Sequence, residues 1–582
     1  MFAKFSPDGR YVAFVRDNNL FLTELATGNE RQLTTDGNDV IINGTTDWVY
    51  EEELGLADAF RWSPDSRRIA FWRFDQSPVP SFPMVDQLQL YPQIASLRYP
   101  KAGQPNSIVK VGVLELSSGK TTWLGVGTEA ESYVARMEWV GADSVAIQRL
   151  PRRQNQIDLL MVSATSGQGR TVVSERDSVW IEIDETPTWL AGGRQFLWPS
   201  ERSGRRQYYL YNRDGSLIRR VTDNRADVTG MLAVDEKRGE LYVTEAVPTP
   251  MERHVIRYSL GGRGGRVIVS RGPGTHRASI APGARYLVDR HSSAAQPPVA
   301  TLHELPTAAQ RRVLVDNGAL KRKLAALTIR PPQFFRIPIA GDSLNAYRIV
   351  PASFDPSRKY PVLLYVYGGP GSQTVIDDYG GVRYLWHQLL AQKGYIVVSV
   401  DNRGTGARGR AFKTITYLNL GKYESDDQIA SAAWLAKQPW VDGSRIGIWG
   451  WSYGGYMSSL SAGRGGDTFK AAIAVAPVTD WRLYDTIYTE RFMWIPQENA
   501  AGYRDSAPLA HVKGLKADLL LIHGTGDDNV HPQNSLQLAN SLQAAGKQFQ
   551  LMLYPNRTHS ISGGNTQAHL YDLMTRFITE HL

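Results

Sequence analysis

The 582-residue sequence contains no cysteine. That absence excludes disulfides, cysteine-ligated zinc and a cysteine nucleophile together, and leaves the redox compartment undecided. No apolar run reaches the roughly 18 residues that a membrane-spanning helix needs. The opening residues, Met1-Phe2-Ala3-Lys4-Phe5-Ser6-Pro7-Asp8-Gly9, carry neither a basic n-region nor an apolar h-region, and read as a strand and a turn instead of a signal peptide. Lysine is scarce, 16 against 49 arginines, the bias of a GC-rich, bacterial-type genome. Charge of one sign is not concentrated anywhere. The net charge of +8 is spread along the chain, so it speaks to solubility and weak anion attraction, not to nucleic-acid binding. The remainder is ordinary for a folded chain: 42% hydrophobic and 21% charged residues exclude wholesale disorder. The length calls for more than one domain, since a single core seldom grows past about 250–300 residues.

Two regimes divide the chain. Residues 1–325 read as short strands with turn signals. Phe5-Ser6-Pro7-Asp8-Gly9-Arg10-Tyr11-Val12-Ala13-Phe14 recurs as Trp62-Ser63-Pro64-Asp65-Ser66-Arg67-Arg68-Ile69-Ala70-Phe71. Degraded copies anchor on Gly141, Ala191, Asp235 and Pro282, with steps of 57, 77, 50, 44 and 47 residues from Pro7 onward. One four-stranded propeller blade takes about 40–50 residues, so the spacing predicts a β-propeller of about six blades. A pair of β-sandwiches explains it less well. The long step holds a Pro-rich stretch, Gln76 to Pro105, that reads as an insertion. Residues 326–582 alternate continuous apolar runs with helical stretches, the pattern of parallel strands buried on both faces. Ser425-Asp426-Asp427-Gln428 is expected to open a helix as a capping box. This half predicts a doubly wound α/β domain.

Gly450-Trp451-Ser452-Tyr453-Gly454-Gly455 matches the nucleophile elbow, with glycine at −2 and +2 of a serine between a strand and a helix. The turn is so tight that only glycine fits beside the strained serine. An ordinary Gly-rich strand–helix turn is the plainer reading, but strand, glycines and helix are all in register. The base and its partner should follow in the order acid, then histidine. Downstream, His523-Gly524-Thr525-Gly526-Asp527-Asp528-Asn529-Val530-His531 ends one strand and Tyr554-Pro555-Asn556-Arg557-Thr558-His559 ends the next. Ser452, an acid and His559 would therefore meet at the carboxyl ends of neighbouring strands. Spacing does not separate Asp527 from Asp528, one of which is a turn or cap residue. His569 is a rival base on the final helix, and His523 and His531 read as loop supports.

The elbow, the His523–His531 loop and Asp47-Trp48-Val49-Tyr50-Glu51-Glu52-Glu53 together resemble the dipeptidyl peptidase IV branch of the prolyl oligopeptidase family of serine peptidases. The resemblance covers the whole chain and is densest from Tyr360 to Leu582. It implies an α/β-hydrolase domain behind a propeller that has eight blades in the family. It implies an exopeptidase that removes Xaa-Pro or Xaa-Ala dipeptides from free N-termini, and it settles the acid as Asp527. By the same resemblance, Tyr367 and the backbone N–H of Tyr453 form the oxyanion hole. Val478, Trp481, Tyr488, Phe492 and Val530 would enclose the substrate proline, with Phe492 standing where the family usually has tyrosine. Asn529 would bind a substrate backbone carbonyl, and Glu52 with Glu53 would grip the free ammonium. Taken alone, these aromatics read as core and the three glutamates as a solvated cluster.

In the family, substantial sequence precedes the point equivalent to Met1, including a membrane anchor or signal, the first propeller strands and a substrate-orienting arginine. The chain therefore reads as N-terminally shortened, with open propeller edges and a hydrolase domain that folds but works poorly. Full proline-specific turnover would refute that expectation. The expected partners are peptides with free N-termini, with no nucleic acid, no membrane span, no metal and no cofactor. The resemblance suggests an exported or periplasmic parent, and a homodimer through the hydrolase domain for which the final helix is a candidate. Two alternatives stand beside this: a prolyl tripeptidyl peptidase or another prolyl-oligopeptidase-type enzyme, and a non-catalytic propeller scaffold. A lipase or carboxylesterase would leave Glu52 and Glu53 without a task.

Overall fold

A computed structural model of the chain describes residues 1–127, 132–183, 186–262 and 265–582. From Lys4 to Val315 the described chain forms six antiparallel sheets of four or five strands each, taken in sequence order. Five of the six repeat anchors fall in, or at the strand end beside, the turn joining the first two strands of a sheet, and Pro64 falls in the turn joining the second and third strands of the second sheet. Shared turn chemistry explains why the motif recurs. Ser6 Oγ donates to Asp8 Oδ1 and accepts from Tyr11 N, while Ser63 Oγ donates to Asp65 Oδ1 and accepts from Arg68 N.

Both irregular steps of the repeat are insertions into the second sheet. Ile41–Asn43 and Phe60–Trp62 both pair with Arg68–Asp75, and the helix Trp48–Leu54 is inserted between them. The Gln76–Pro105 stretch is a two-stranded ribbon, Ser81–Asp86 with Gln93–Arg98, inserted between Arg68–Asp75 and Ile108–Glu115, which pair directly. The ribbon reaches the other half of the chain. Phe82 stacks on His531 at 3.7 Å, and the Tyr99 hydroxyl donates to Asn529 O at 3.0 Å.

The C-terminal half is built on one eight-stranded sheet. Its order is Gln333–Ile339, Asp342–Ile349, Ile396–Val400, Tyr360–Tyr365, Val441–Trp451, Ala471–Val475, Asp518–Gly524 and Gln550–Tyr554. The first two strands join antiparallel and the rest run parallel. Three central strands, Tyr360–Tyr365, Ile396–Val400 and Ala471–Val475, are buried along their whole length, as their continuous apolar runs require. Helices cover both faces. Lys422–Leu435 and Tyr453–Gly465 lie on one, while Gly381–Gln392 and Thr566–His581 lie on the other.

One local expectation is corrected. Ser425 does not cap a helix, because the helix begins at Lys422 after Gly421, which takes φ +80°. Ser425 instead sits in its first turn and returns its hydroxyl to Gly421 O. A Cβ at Gly421 would lie 2.0 Å from the Tyr456 hydroxyl, so packing selects this start over the capping box.

No helix among the described residues is long and apolar enough to cross a membrane. The two halves meet around the helix Thr486–Met493. Arg152 pairs with the fully buried Glu490 at 2.7 Å, Gln154 donates to Ile487 O at 2.7 Å, and Thr486 N donates to Pro100 O at 3.0 Å.

Candidate active site

Ser452 follows the strand Val441–Trp451 and caps the helix Tyr453–Gly465 with φ +60° and ψ −120°. A non-glycine residue holds such angles only when its surroundings over-determine them. Ser452 N donates to Val475 O at 2.9 Å and Ser452 O accepts from Tyr456 N at 3.0 Å. The glycines at −2 and +2 are required by contact. A Cβ on Gly450 would lie 2.3 Å from Gly454 O, and one on Gly454 would lie 2.2 Å from Val366 O. Ser452 is thus held at the carboxyl end of a central strand beside a helix N-terminus, whose unpaired N–H groups favour negative charge.

Asp527 follows the strand Asp518–Gly524, the next but one in the sheet, and His559 follows the last strand, Gln550–Tyr554. His559 Nδ1 lies 2.7 Å from Asp527 Oδ2. Asp527 is fully buried, and its Oδ1 accepts from the N–H groups of Asn529 and Val530 at 3.1 and 2.9 Å. Burial opposes its ionisation, but hydrogen bonds to His523 and His559 outweigh burial and hold its carboxyl at about 2. Asp528 is half-buried and makes no such bond among the described residues. His523 braces the loop through Ser535 Oγ and Val530 O, both at 2.7 Å. His569 meets Tyr554 Oη at 2.9 Å on the outer helix. His531 is buried against Phe82 and Tyr99 with neither ring nitrogen hydrogen-bonded among the described residues, and burial lowers it to about 3. Ser452 and His559 share one cleft of about 540 Å³, without a hydrogen bond between them among the described residues.

Tyr367 lines the same cleft. Burial, reinforced by the charge of Glu53, pushes its phenol up to about 12, so it stays a neutral donor at physiological pH. Tyr453 turns its side chain inward, where its hydroxyl donates to the buried Glu424 at 2.8 Å. That contact leaves only its backbone N–H for the cleft. Burial raises Glu424 to about 7.

The helix Trp48–Leu54 carries the glutamates. Asp47 caps it by accepting from Tyr50 N at 3.0 Å, Ser107 Oγ holds the second Asp47 oxygen at 2.6 Å, and Gly55 ends it in the left-handed conformation. Glu51 faces solvent. Glu52 and Glu53 line the cleft that contains Ser452. Burial raises Glu53 well above the usual carboxylate range, and the neighbouring Asp485 raises it further. Asp485 is itself raised by burial, and caps the helix Thr486–Met493 by accepting from Tyr488 N at 2.9 Å. The clamped helix therefore fixes both the acidic end and the aromatic wall of the cleft.

Tyr488 and Asn529 also line the cleft. Asn529 Nδ2 donates to Glu52 Oε1 at 2.6 Å, leaving one amide hydrogen for a further acceptor. Val478, Trp481, Phe492 and Val530 are buried in the core behind the wall. Trp481 stacks on Tyr488 at 5.8 Å and Phe492 meets it edge-on at 4.9 Å, so they shape the wall through Tyr488. Sequence reasoning missed Tyr484, which lines the cleft and donates to Asn529 Oδ1 at 2.7 Å. Its signal was its place four residues before Tyr488. It also missed Arg383, Tyr365, Trp449, Trp451 and Tyr571, which lie across four elements with no shared spacing. No group of three or more His, Asp or Glu side chains among the described residues is arranged to hold a metal.

The family model "Dipeptidyl peptidase IV (DPP IV) N-terminal region" matches residues 1–298, and "Prolyl oligopeptidase family" matches residues 383–582. The chain is 34% identical over 613 residues to "Probable dipeptidyl-aminopeptidase B" of Emericella nidulans, covering 99% of this chain and 67% of that protein. It is 33% identical over 595 residues to "Probable dipeptidyl peptidase 4" of Aspergillus fumigatus, covering 97% and 77%. The crystal structure of Porphyromonas gingivalis dipeptidyl peptidase 4 superposes with a TM-score of 0.97 at 41% identity, covering 100% of this chain and 83% of that one.

Proposed function

The chain belongs to the prolyl oligopeptidase family, in its dipeptidyl peptidase IV branch, and from that premise we propose that it is a serine exopeptidase releasing N-terminal Xaa-Pro or Xaa-Ala dipeptides. One observation carries the reading: two carboxylates, Glu52 and Glu53, share a single cleft with Ser452. Carboxylates in a partly desolvated cleft hold an ammonium strongly and a blocked amine poorly. A substrate tethered there by its N-terminus presents a fixed bond to the nucleophile.

In the proposed reaction, Ser452 Oγ attacks the carbonyl of the second residue while His559 Nε2 takes its proton. Asp527 keeps the other ring nitrogen protonated and stabilises the imidazolium. The developing oxyanion meets the Tyr367 hydroxyl and the Tyr453 N–H. Collapse breaks the peptide bond, and His559 returns the proton to the leaving amine. Water then hydrolyses the acyl-enzyme by the same route. Tyr488, backed by Trp481 and Phe492 with Val478 and Val530 behind, would enclose the proline ring, and Asn529 would donate to a substrate carbonyl.

The division between the halves is proposed at 325/326, supported by a helix that ends at Ala325 and a sheet that begins at Gln333. A homodimer through the hydrolase domain is proposed as well. Leu570, Met574, Phe577 and Ile578 of the final helix already pack on the sheet, so its outer face would form the contact. Chromogenic Gly-Pro and Ala-Ala-Pro substrates test the activity. Cleavage of Gly-Pro, with fluorophosphonate labelling that disappears in Ser452→Ala, is expected. Cleavage of Ala-Ala-Pro alone would move the count to three residues, and no labelling would leave a scaffold.

A further inference from the structure

The cleft continues past the nucleophile. Tyr484 and Tyr488, beside the glutamates, pack with the core on one face of the sheet; Tyr365 and Trp449 pack with the core on the other. Ser452 stands between them, at the carboxyl end of the central strand Val441–Trp451. Along the second wall lies Arg383, in the first turn of the helix Gly381–Gln392. Arg383 is an exposed residue, and its guanidinium rests over the Tyr365 ring at 4.7 Å. No hydrogen bond or ion pair engages it among the described residues. Stacking on an aromatic face fixes the plane of a guanidinium while leaving its N–H edges free for a planar acceptor. The cleft therefore carries an anionic end and a cationic end with Ser452 between them.

We propose that Arg383 is a specificity-determining residue, binding a carboxylate carried two or three residues beyond the scissile bond on the leaving segment. The inference rests on the exopeptidase reading above, which assigns the acidic end to the substrate N-terminus.

Length sets the position of that carboxylate. Tyr365 pairs in register with Trp449, and Trp451 lies two residues further along. Strands about 4.8 Å apart with a rise of about 3.4 Å per residue put Tyr365 on the order of 8 Å from Trp451, the residue before Ser452. An extended chain advances roughly 3.3 Å per residue, so two or three residues span that gap. The carboxylate can be the chain end of a tetrapeptide or pentapeptide, or an acidic side chain in a longer one. In the first case the enzyme reads both ends of a short peptide.

The test is a series Ala-Pro-(Ala)n, with n from one to six, each with a free or an amidated C-terminus. A parallel amidated set places Glu or Gln two or three residues past the bond. Dipeptide release gives kcat/KM, and the acid-to-amide ratio is taken within each protein, so overall rate does not enter. We expect a ratio of roughly three- to tenfold at n of two or three, the size of a partly exposed charge-assisted pair. It should fall toward one at longer n, collapse toward one in Arg383→Gln at every length, and survive in part in Arg383→Lys. A preference for the free C-terminus assigns the chain end, and a preference for Glu over Gln assigns the side chain. A ratio near one at every length with no Glu preference, or preferences unchanged in Arg383→Gln, would overturn the inference. Loss of dipeptide release across the whole series would instead overturn the exopeptidase reading, and this inference with it.

Discussion

Replacing Asp527 by Asn changes one atom, and the structure dictates how the amide must sit. Oδ1 of Asp527 accepts from two backbone N–H groups, those of Asn529 and Val530. An amide nitrogen cannot take that place, so the asparagine oxygen must stay there and its NH2 must face His559. That NH2 then donates to Nδ1, and the imidazole is left protonated on Nε2. In that tautomer it cannot accept the Ser452 proton. Fixing the wrong tautomer in a serine triad costs roughly 10⁴ in turnover, or about 5.4 kcal/mol of transition-state stabilisation. The assay is kcat on a chromogenic Gly-Pro substrate, with thermal melting to show that the fold is intact. Asp528→Asn serves as the internal comparison, because Asp528 accepts no hydrogen bond among the described residues. It should stay within about twofold of the parent, since surface changes are usually worth less than about 0.5 kcal/mol. Retention of a tenth of the activity by Asp527→Asn, or an equal loss in Asp528→Asn, would refute the assignment.

Glu53→Gln should raise KM for free-amine substrates by roughly tenfold to a hundredfold, the range of a lost charge-assisted contact. Tyr367→Phe removes one oxyanion donor and should lower kcat by roughly 10²–10³ with KM nearly unchanged. Asp485→Asn keeps the helix cap and removes a buried charge. A carboxyl raised above its ordinary value of 3.8 binds its proton more tightly in the folded state, so it costs stability as pH rises above that value. The melting temperature of Asp485→Asn relative to the parent should therefore climb between about pH 4 and pH 8. Its acidic limb of kcat/KM for free-amine peptides should move to lower pH, because Glu53 loses a neighbouring negative charge. A limb that does not move would separate Asp485 from ammonium binding.

Legibility in the sequence followed locality. The six repeat anchors were readable because each turn is made by its own few residues, as with Ser6 and Asp8. Ser452 was readable because glycines two residues away supply the steric need. Asp527 and Asp528 were not separable by spacing, since both follow the same strand; the distinction lies in which carboxylate turns back onto Asn529, Val530 and His559. Tyr484, Arg383 and Tyr571 escaped notice because they converge only after the sheet has formed. Ser425 misled because Gly421 and its contact with Tyr456 set the helix start from outside the local pattern.

The central claim is that the cleft counts from a free amine. Mass analysis of the products from one Xaa-Pro peptide, with its N-terminus first free and then acetylated, tests it most directly. The account predicts a released dipeptide from the free peptide and none from the acetylated one. Equal cleavage of both at the same bond would contradict it.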